Sequence, residues 1–277
     1  MTGAFSLGRI IRLTLLSLGA IIFLSPYVFM ISAAGKAQSD IFTSSLSLIP
    51  AHLTYAENFA KALSRVPMAQ LLWNGVVVCG LIFFFQVLVA IPCAYAMAKL
   101  RFAAARAMMA LVMLGLLVPI HATALPLYVA FNRASLLNGY AALVAPFTIS
   151  VFAIFMFLQI FRAMPDDLIH AARLDGMSEL GIVCRVIVPN AWPAVTAFAI
   201  FSVVAHWNDL YWPLVVISKQ DYATPPLGLM YFRAAEAGDD YGALMAATLI
   251  ITLPLVAAFL LAQKRFVEGI TMTGLKG

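Results

Sequence analysis

Charge is what this chain has least of: of its 277 residues 64% are hydrophobic and only 10% are Asp, Glu, Lys or Arg. Soluble domains are about half apolar and about a quarter charged, so a water-soluble globular fold is excluded and an integral membrane protein is implied. Cysteine is scarce too. The three present, Cys79, Cys93 and Cys184, show no CxxC or CxxH spacing, which argues against disulfides and metal ligation and leaves them as free packing thiols. No GxxxxGK[ST] phosphate loop occurs; the nearest fragment is "GKA" at Gly35, so the chain does not hydrolyse ATP alone by that route. HExxH, GxSxG and paired intramembrane carboxylates are missing as well, which argues against a membrane-embedded enzyme. No catalytic or metal-ligating residue is nominated. The net charge of +5 comes without any basic cluster on an aromatic platform, so it points to membrane orientation and away from nucleic acid.

What is present is long apolar sequence. A spanning helix needs about 20 mainly apolar residues, and six stretches qualify: 11–32, 71–98, 107–131, 141–161, 191–217 and 241–262. An even number puts both ends on one side. Arg9, Arg12, Lys99, Arg101, Arg106, Arg162, Arg173, Arg185, Lys264, Arg265 and Lys276 then share one face, and Lys36, Lys61, Arg65, Arg133, Lys219 and Arg233 the other. The larger, helix-end group marks the cytoplasmic side. The expectation is an all-α polytopic protein with a cytoplasmic N-terminus at 1–10, a spanning domain at 11–262 and a cytoplasmic tail at 263–277. The first run also resembles a signal peptide in its flanks, with Arg9 and Arg12 before it and Ser32, Ala33 and Ala34 after, but it exceeds the roughly 7–15 residues of a signal core and reads as a retained span. On the exported side, "LTYAENFAKALSRVP" has an amphipathic helical pattern, and the loop 219–240 is the other sizeable outer element.

Polar residues inside the spans are few, and an ionisable group there is a functional candidate. Gln86, His121, His206, Asn208 and Asp209 are candidates for a translocation pathway. Each has a second reading. "AHWNDLYWPL" places Asp209 roughly 27 Å along its helix at 1.5 Å per residue, near the outer interface, where Trp and Tyr collect and anchoring suffices. His121, between Pro119 and Pro126, suits a kinked pathway lining or plain packing. Gln86 lines a pathway or bonds a neighbouring helix.

The densest polar stretch is "DDLIHAARLDGMSELGIVCRVIVP", residues 166–189, with four carboxylates, three basic or imidazole side chains and two glycines between apolar runs. A proline and two aspartates start a helix, Gly176 breaks it, and a second short helix over 177–186 leads to Pro189. Connections of this kind are ordinarily about 2–8 residues, so the cytoplasmic loop 164–190 has structure of its own, suited to docking into a partner. "HAARLDG", nine residues, then "VIVP" resembles the EAA motif of the inner-membrane permeases of binding-protein-dependent ABC importers. Ala171, Ala172, Gly176 and Pro189 match that pattern, with Val186 and Val188 as conservative replacements and His170 where the family usually has glutamate. "AYAMAKLRF", "LLNGYAALVAPF", "WNDLYWPL" and the tail "KRFVEGITMTGLKG" resemble the maltose-type, carbohydrate-uptake branch.

The resemblance implies a type I ABC importer permease fold, with His170, Ala171, Ala172, Asp175, Gly176 and Pro189 forming the element that couples to an ATPase. It implies a bacterial inner (cytoplasmic) membrane location and four kinds of partner: a second, different permease in a heterodimer, two ATP-binding subunits that hold ATP and Mg, an extracytoplasmic substrate-binding protein and the lipid bilayer. The resemblance further implies that this chain binds no cofactor itself and that the solute is a sugar or sugar-like compound, whether glycoside, oligosaccharide, polyol or glycerol phosphate. Two other classes stand beside this reading: a proton-coupled secondary transporter using His206 and Asp209 as a relay, and a membrane assembly subunit without transport.

Overall fold

The computed structural model describes residues 7–42, 47–50, 52–232 and 240–274. Expectations placed on residues 1–6 and 275–277, on Arg233, and on the side chains from Lys264 onward lie outside the described residues. Every regular element among the described residues is helical, as expected from composition. The main helices are α1 (Leu7–Ala34), α2 (Tyr55–Arg65), α3 (Met68–Lys99), α4 (Ala105–Leu117), α5 (Ala124–Arg133), α6 (Tyr140–Val144), α7 (Val151–Ala163), α8 (Asp166–Leu174), α9 (Trp192–Trp207), α10 (Tyr211–Val216) and α11 (Tyr241–Gly274).

Among the described residues three helices, α1, α3 and α11, are long and apolar enough to cross a membrane singly, and the number reaches six if each of three bent pairs counts as one span. The expected continuous third, fourth and fifth spans are therefore corrected. Residues 105–133 bend by 92°. Pro119 explains where: the residue before a proline is driven out of the α region, and Val118 sits at φ −79°, ψ 117°. The fourth bends by 41° ahead of α7, where Ser150 restarts the helix by accepting the Ala153 amide at 3.1 Å. The expected fifth, 191–217, ends at Trp207 and resumes as α10. Pro213 has no N–H to offer the Asp209 carbonyl, and Asp209 instead uses its side chain, Oδ1 accepting the Trp212 amide at 3.3 Å.

The chain divides into two compact units. The first comprises Met1–Met68 and Leu229–Leu253. Here the amphipathic pattern of α2 does form a helix, and its Asn58 is buried. Asn58 Nδ2 donates to the carbonyls of Ala34 and Lys36, both at 2.9 Å, satisfying groups that the end of α1 leaves without intrahelical partners. A Cβ on Gly242 would stand 2.6 Å from Asn58 Nδ2, so this contact needs glycine there.

The second unit comprises Ala69–Gly228 and Pro254–Gly277. Its core is aromatic: Phe157 stacks on Phe161 at 5.9 Å and meets Phe198 edge-on at 5.5 Å, all three fully or almost fully buried. Ile169, Ala172, Ile182 and Ile187 belong to the same cluster as Tyr95, Phe157 and Phe198. The polar island thus packs into the core formed by the apolar helices, and its 3.6-residue periodicity gives α8 one face for this purpose.

Candidate functional site

The island is built from its ends inward. Pro165 precedes α8 in an extended conformation, and Asp166 and Asp167 occupy the first turn, where carboxylates complement the helix dipole. At the other end Gly176 has φ +78°. The Met177 amide donates to Ala172 O and the Gly176 amide to Arg173 O, both at 3.0 Å, the paired bonds of a Schellman cap. The expected second helix over 177–186 starts instead at Glu179. Ser178 caps it by accepting the Gly181 amide at 3.2 Å, and the chain continues as a wider π turn over Val183–Ile187. Pro189, which cannot donate to Arg185 O, follows that turn, and Asn190 Nδ2 takes up Val186 O at 2.7 Å. Ala191 then marks an 80° bend into α9.

The candidate coupling residues separate by face. Ala172 is 4% exposed and turns inward with Ile169, whereas His170, Ala171, Asp175, Gly176 and Pro189 are exposed. Around them lie three bare leucines: Leu168, Leu180 and Leu174, the last 90% exposed. His170 faces a cleft that Lys99, Arg101, Asp166 and Arg173 also line, so the imidazole occupies cationic surroundings at the position where the motif usually has glutamate.

Two residues of α3, one helical turn apart, hold this unit. Lys99, whose side chain is 5% exposed, donates to Met164 O at 2.7 Å and to Asp166 Oδ1 at 2.6 Å. The ammonium holds the Asp166 carboxyl below the usual carboxylate range. Tyr95 OH donates to Glu179 Oε2 at 2.5 Å, and Arg173 reaches the same carboxylate through Nε at 2.8 Å and a terminal nitrogen at 3.2 Å. Arg173, and after it Tyr95, hold Glu179 low, while Glu179 raises the Arg173 guanidinium. Tyr95, Lys99 and Glu179 escaped nomination in the sequence. The available signal was the i, i+4 spacing of Tyr95 and Lys99 inside "AYAMAKLRF", which puts both on one helix face.

Of the pathway candidates, the structure brings His121, His206 and Asp209 to one cavity of ≈ 270 Å³, together with Thr123, Phe147 and Tyr211. Gln86 stands behind His206 and is buried. Its Nε2 donates to Phe147 O at 3.0 Å and lies 3.3 Å from His206 Nε2, while its Oε1 accepts from Ser202 Oγ at 2.7 Å. Asn208 is not drawn in; its Nδ2 donates to Val204 O at 2.8 Å. Phe147 and Tyr211 were not nominated from the sequence. Phe147 packs at a tilt against His206 with centroids 4.8 Å apart, and Tyr211 likewise against His121 at 4.6 Å.

Comparison with known proteins follows this geometry. The family model described as "Binding-protein-dependent transport system inner membrane component" matches residues 86–271. The chain is 30% identical over 265 residues to the arabinooligosaccharides transport system permease protein AraQ of Halalkalibacterium halodurans, covering 93% of each. It is 28% identical over 260 residues to the lactose transport system permease protein LacG of Rhizobium radiobacter, covering 94% of each. Among solved structures, a chain of a bacterial ABC transporter involved in the import of the acidic polysaccharide alginate superposes with a TM-score of 0.81 over 96% of this chain and 99% of that one, at 17% identity. At that identity the likeness is one of fold.

Proposed function

The chain belongs to the binding-protein-dependent transport system inner membrane components, and from that premise we propose that it passes a sugar or sugar-like solute into the cytoplasm, driven by ATPase subunits that grip α8. Members of this family are transport components of the membrane rather than enzymes, and ATP hydrolysis belongs to separate subunits. The observation that carries the proposal is the two-faced α8. Its inner residues Ile169 and Ala172 are locked into the core, and its outer surface presents Leu168, Ala171 and Leu174 uncovered. Helix-in-groove recognition uses apolar anchors about one turn apart, and the successive pairs Leu168–Ala171 and Ala171–Leu174 each have such an i, i+3 step. ATP and Mg sit on the partner subunits; closure of the ATPase dimer on ATP displaces α8, and the spans rock between inward and outward access.

The proposed assembly contains a second, different permease, two ATP-binding subunits and an extracytoplasmic binding protein, in a bacterial inner membrane with both termini of this chain cytoplasmic. The asymmetry of basic residues supports that orientation, and the names of the relatives support a carbohydrate solute.

The proton-relay alternative is disfavoured by Gln86. Phe147 O only accepts, so the amide nitrogen faces it, and the second amide hydrogen points to His206 Nε2. That nitrogen therefore accepts, and protonating it breaks the bond. The test is reconstitution in proteoliposomes: solute uptake requires the ATPase and loaded binding protein, and Ala171→Asp abolishes the ATPase association. Uptake by this chain alone, driven by a proton gradient, overturns the proposal.

A further inference from the structure

The cavity bounded by the broken third span and the break between α9 and α10 has a hydrogen-bonding pattern of its own. Because Gln86 occupies Nε2 of His206, the imidazole carries its proton on Nδ1, and no described residue accepts that proton. His206 therefore lines the cavity as a donor. Asp209 accepts the backbone amides of Trp212 and Tyr211, and a carboxylate accepts about four hydrogen bonds, so about half of its capacity is uncommitted. Tyr211 and His121, tilted by 59°, add aromatic surface whose electron-rich faces attract the weakly positive C–H bonds of an alicyclic ring. Lys and Arg are missing from the described lining, and the carboxylate of Asp209 is its sole acidic group.

From this pattern we infer that the cavity is a subsite for a single neutral, hydroxylated ring of the transported solute, and that it rejects anionic units. The inference rests on the import reading above and narrows it. A hydroxyl both donates to Asp209 and accepts from His206, whereas a phosphate or uronate meets the carboxylate as a like charge with no lysine or arginine in the described lining to offset it. At ≈ 270 Å³ the cavity is just under the lower end of ordinary ligand clefts, roughly 300 Å³, so it takes one ring at a time. The alginate importer shares the fold and carries an acidic polysaccharide; on this reading the present chain does not share that preference.

The test uses the whole importer, with its second permease and ATPase subunits, in lipid nanodiscs. Ala205→Cys places a reporter thiol in the cavity lining and Cys184→Ser removes the exposed native thiol. The rate of N-ethylmaleimide labelling at position 205 is measured with lactose, arabinotriose, glucuronate or sn-glycerol 3-phosphate at matched ionic strength. A neutral sugar is expected to slow labelling while the two anions leave it unchanged. Asp209→Asn is expected to weaken neutral-sugar protection roughly tenfold, the scale of losing a hydrogen bond to a charged group. Tyr211→Ala is expected to weaken it as well. Equal protection by glucuronate, or no protection by either neutral sugar, overturns the inference. The comparison of solutes is made on one protein, so a poorly folding variant does not decide it. ATP hydrolysis stimulated by loaded binding protein, measured on the same preparation, separates the two readings: an intact response without protection rejects the subsite alone.

Discussion

At Gly176 an added Cβ meets nothing within 4 Å while φ is +78°, so any penalty for a side chain there is torsional rather than a matter of space. Gly176→Val should strain the cap by about 1–3 kcal/mol, while Gly176→Asn, the non-glycine residue most at ease in this region, should stay near the parent. Insertion should survive in both; the expected difference is weaker ATPase copurification for valine only, and equal copurification removes the cap from the coupling mechanism. The carboxylates nearby set a pH limit. Glu179 and Asp166 are both held below their ordinary values of 4.5 and 3.8. A carboxylate with a depressed folded pKa contributes stability above its unfolded pKa and loses it as pH falls through the folded one. These two carboxylates should thus add no pH dependence between 8 and 6 and release the island only below about 4. Thermal unfolding in detergent against pH should show that fall, flattened in Glu179→Gln; a midpoint already dropping near neutrality contradicts the assignment.

At the scale of the element, α8 divides two alanines that look alike in sequence. Ala172→Asp puts a carboxylate into the core beside Ile169, and an uncompensated buried charge costs about 3–5 kcal/mol. Ala171→Asp stays in water. The expected outcome is a lowered unfolding midpoint for Ala172→Asp, and for Ala171→Asp a normal midpoint with lost ATPase binding; similar midpoints for both would show that α8 is not docked on its own core. Helical spacing showed that residues 166–174 form a helix and that Gly176 ends it. It did not tell which alanine faces inward, because that depends on Tyr95, Phe157 and Phe161, far away in the chain. Tyr95 and Glu179 are 84 positions apart, and Lys99 and Asp166 are 67 apart, so no local pattern announces either pair. The breaks were half legible. Pro119 and Pro126 pointed to a bend, but apolar composition runs on through Pro213, and the end of α9 at Trp207 was read through.

Across the whole molecule, the asymmetry of eleven basic residues against six predicts a cytoplasmic C-terminus. A reporter fused after Gly277 should signal from the cytoplasm, and export of that reporter would remove the even-numbered topology. The membrane-length window of α1 has 0% of its residues buried, so its apolar surface is covered by lipid or by another chain. A different consequence follows from the two grips of α3 on the island. Lys99 fastens the front of α8, and Tyr95 fastens its rear through Glu179 and Arg173. A bar bolted at one point swivels, whereas a bar bolted at two points of the same beam moves only with the beam. Under the proposed coupling, tension on α8 would reach α3 as translation along a set direction, with no slack taken up by rotation. Tyr95→Phe withdraws one bolt: the stroke would still arrive, but its aim would be lost.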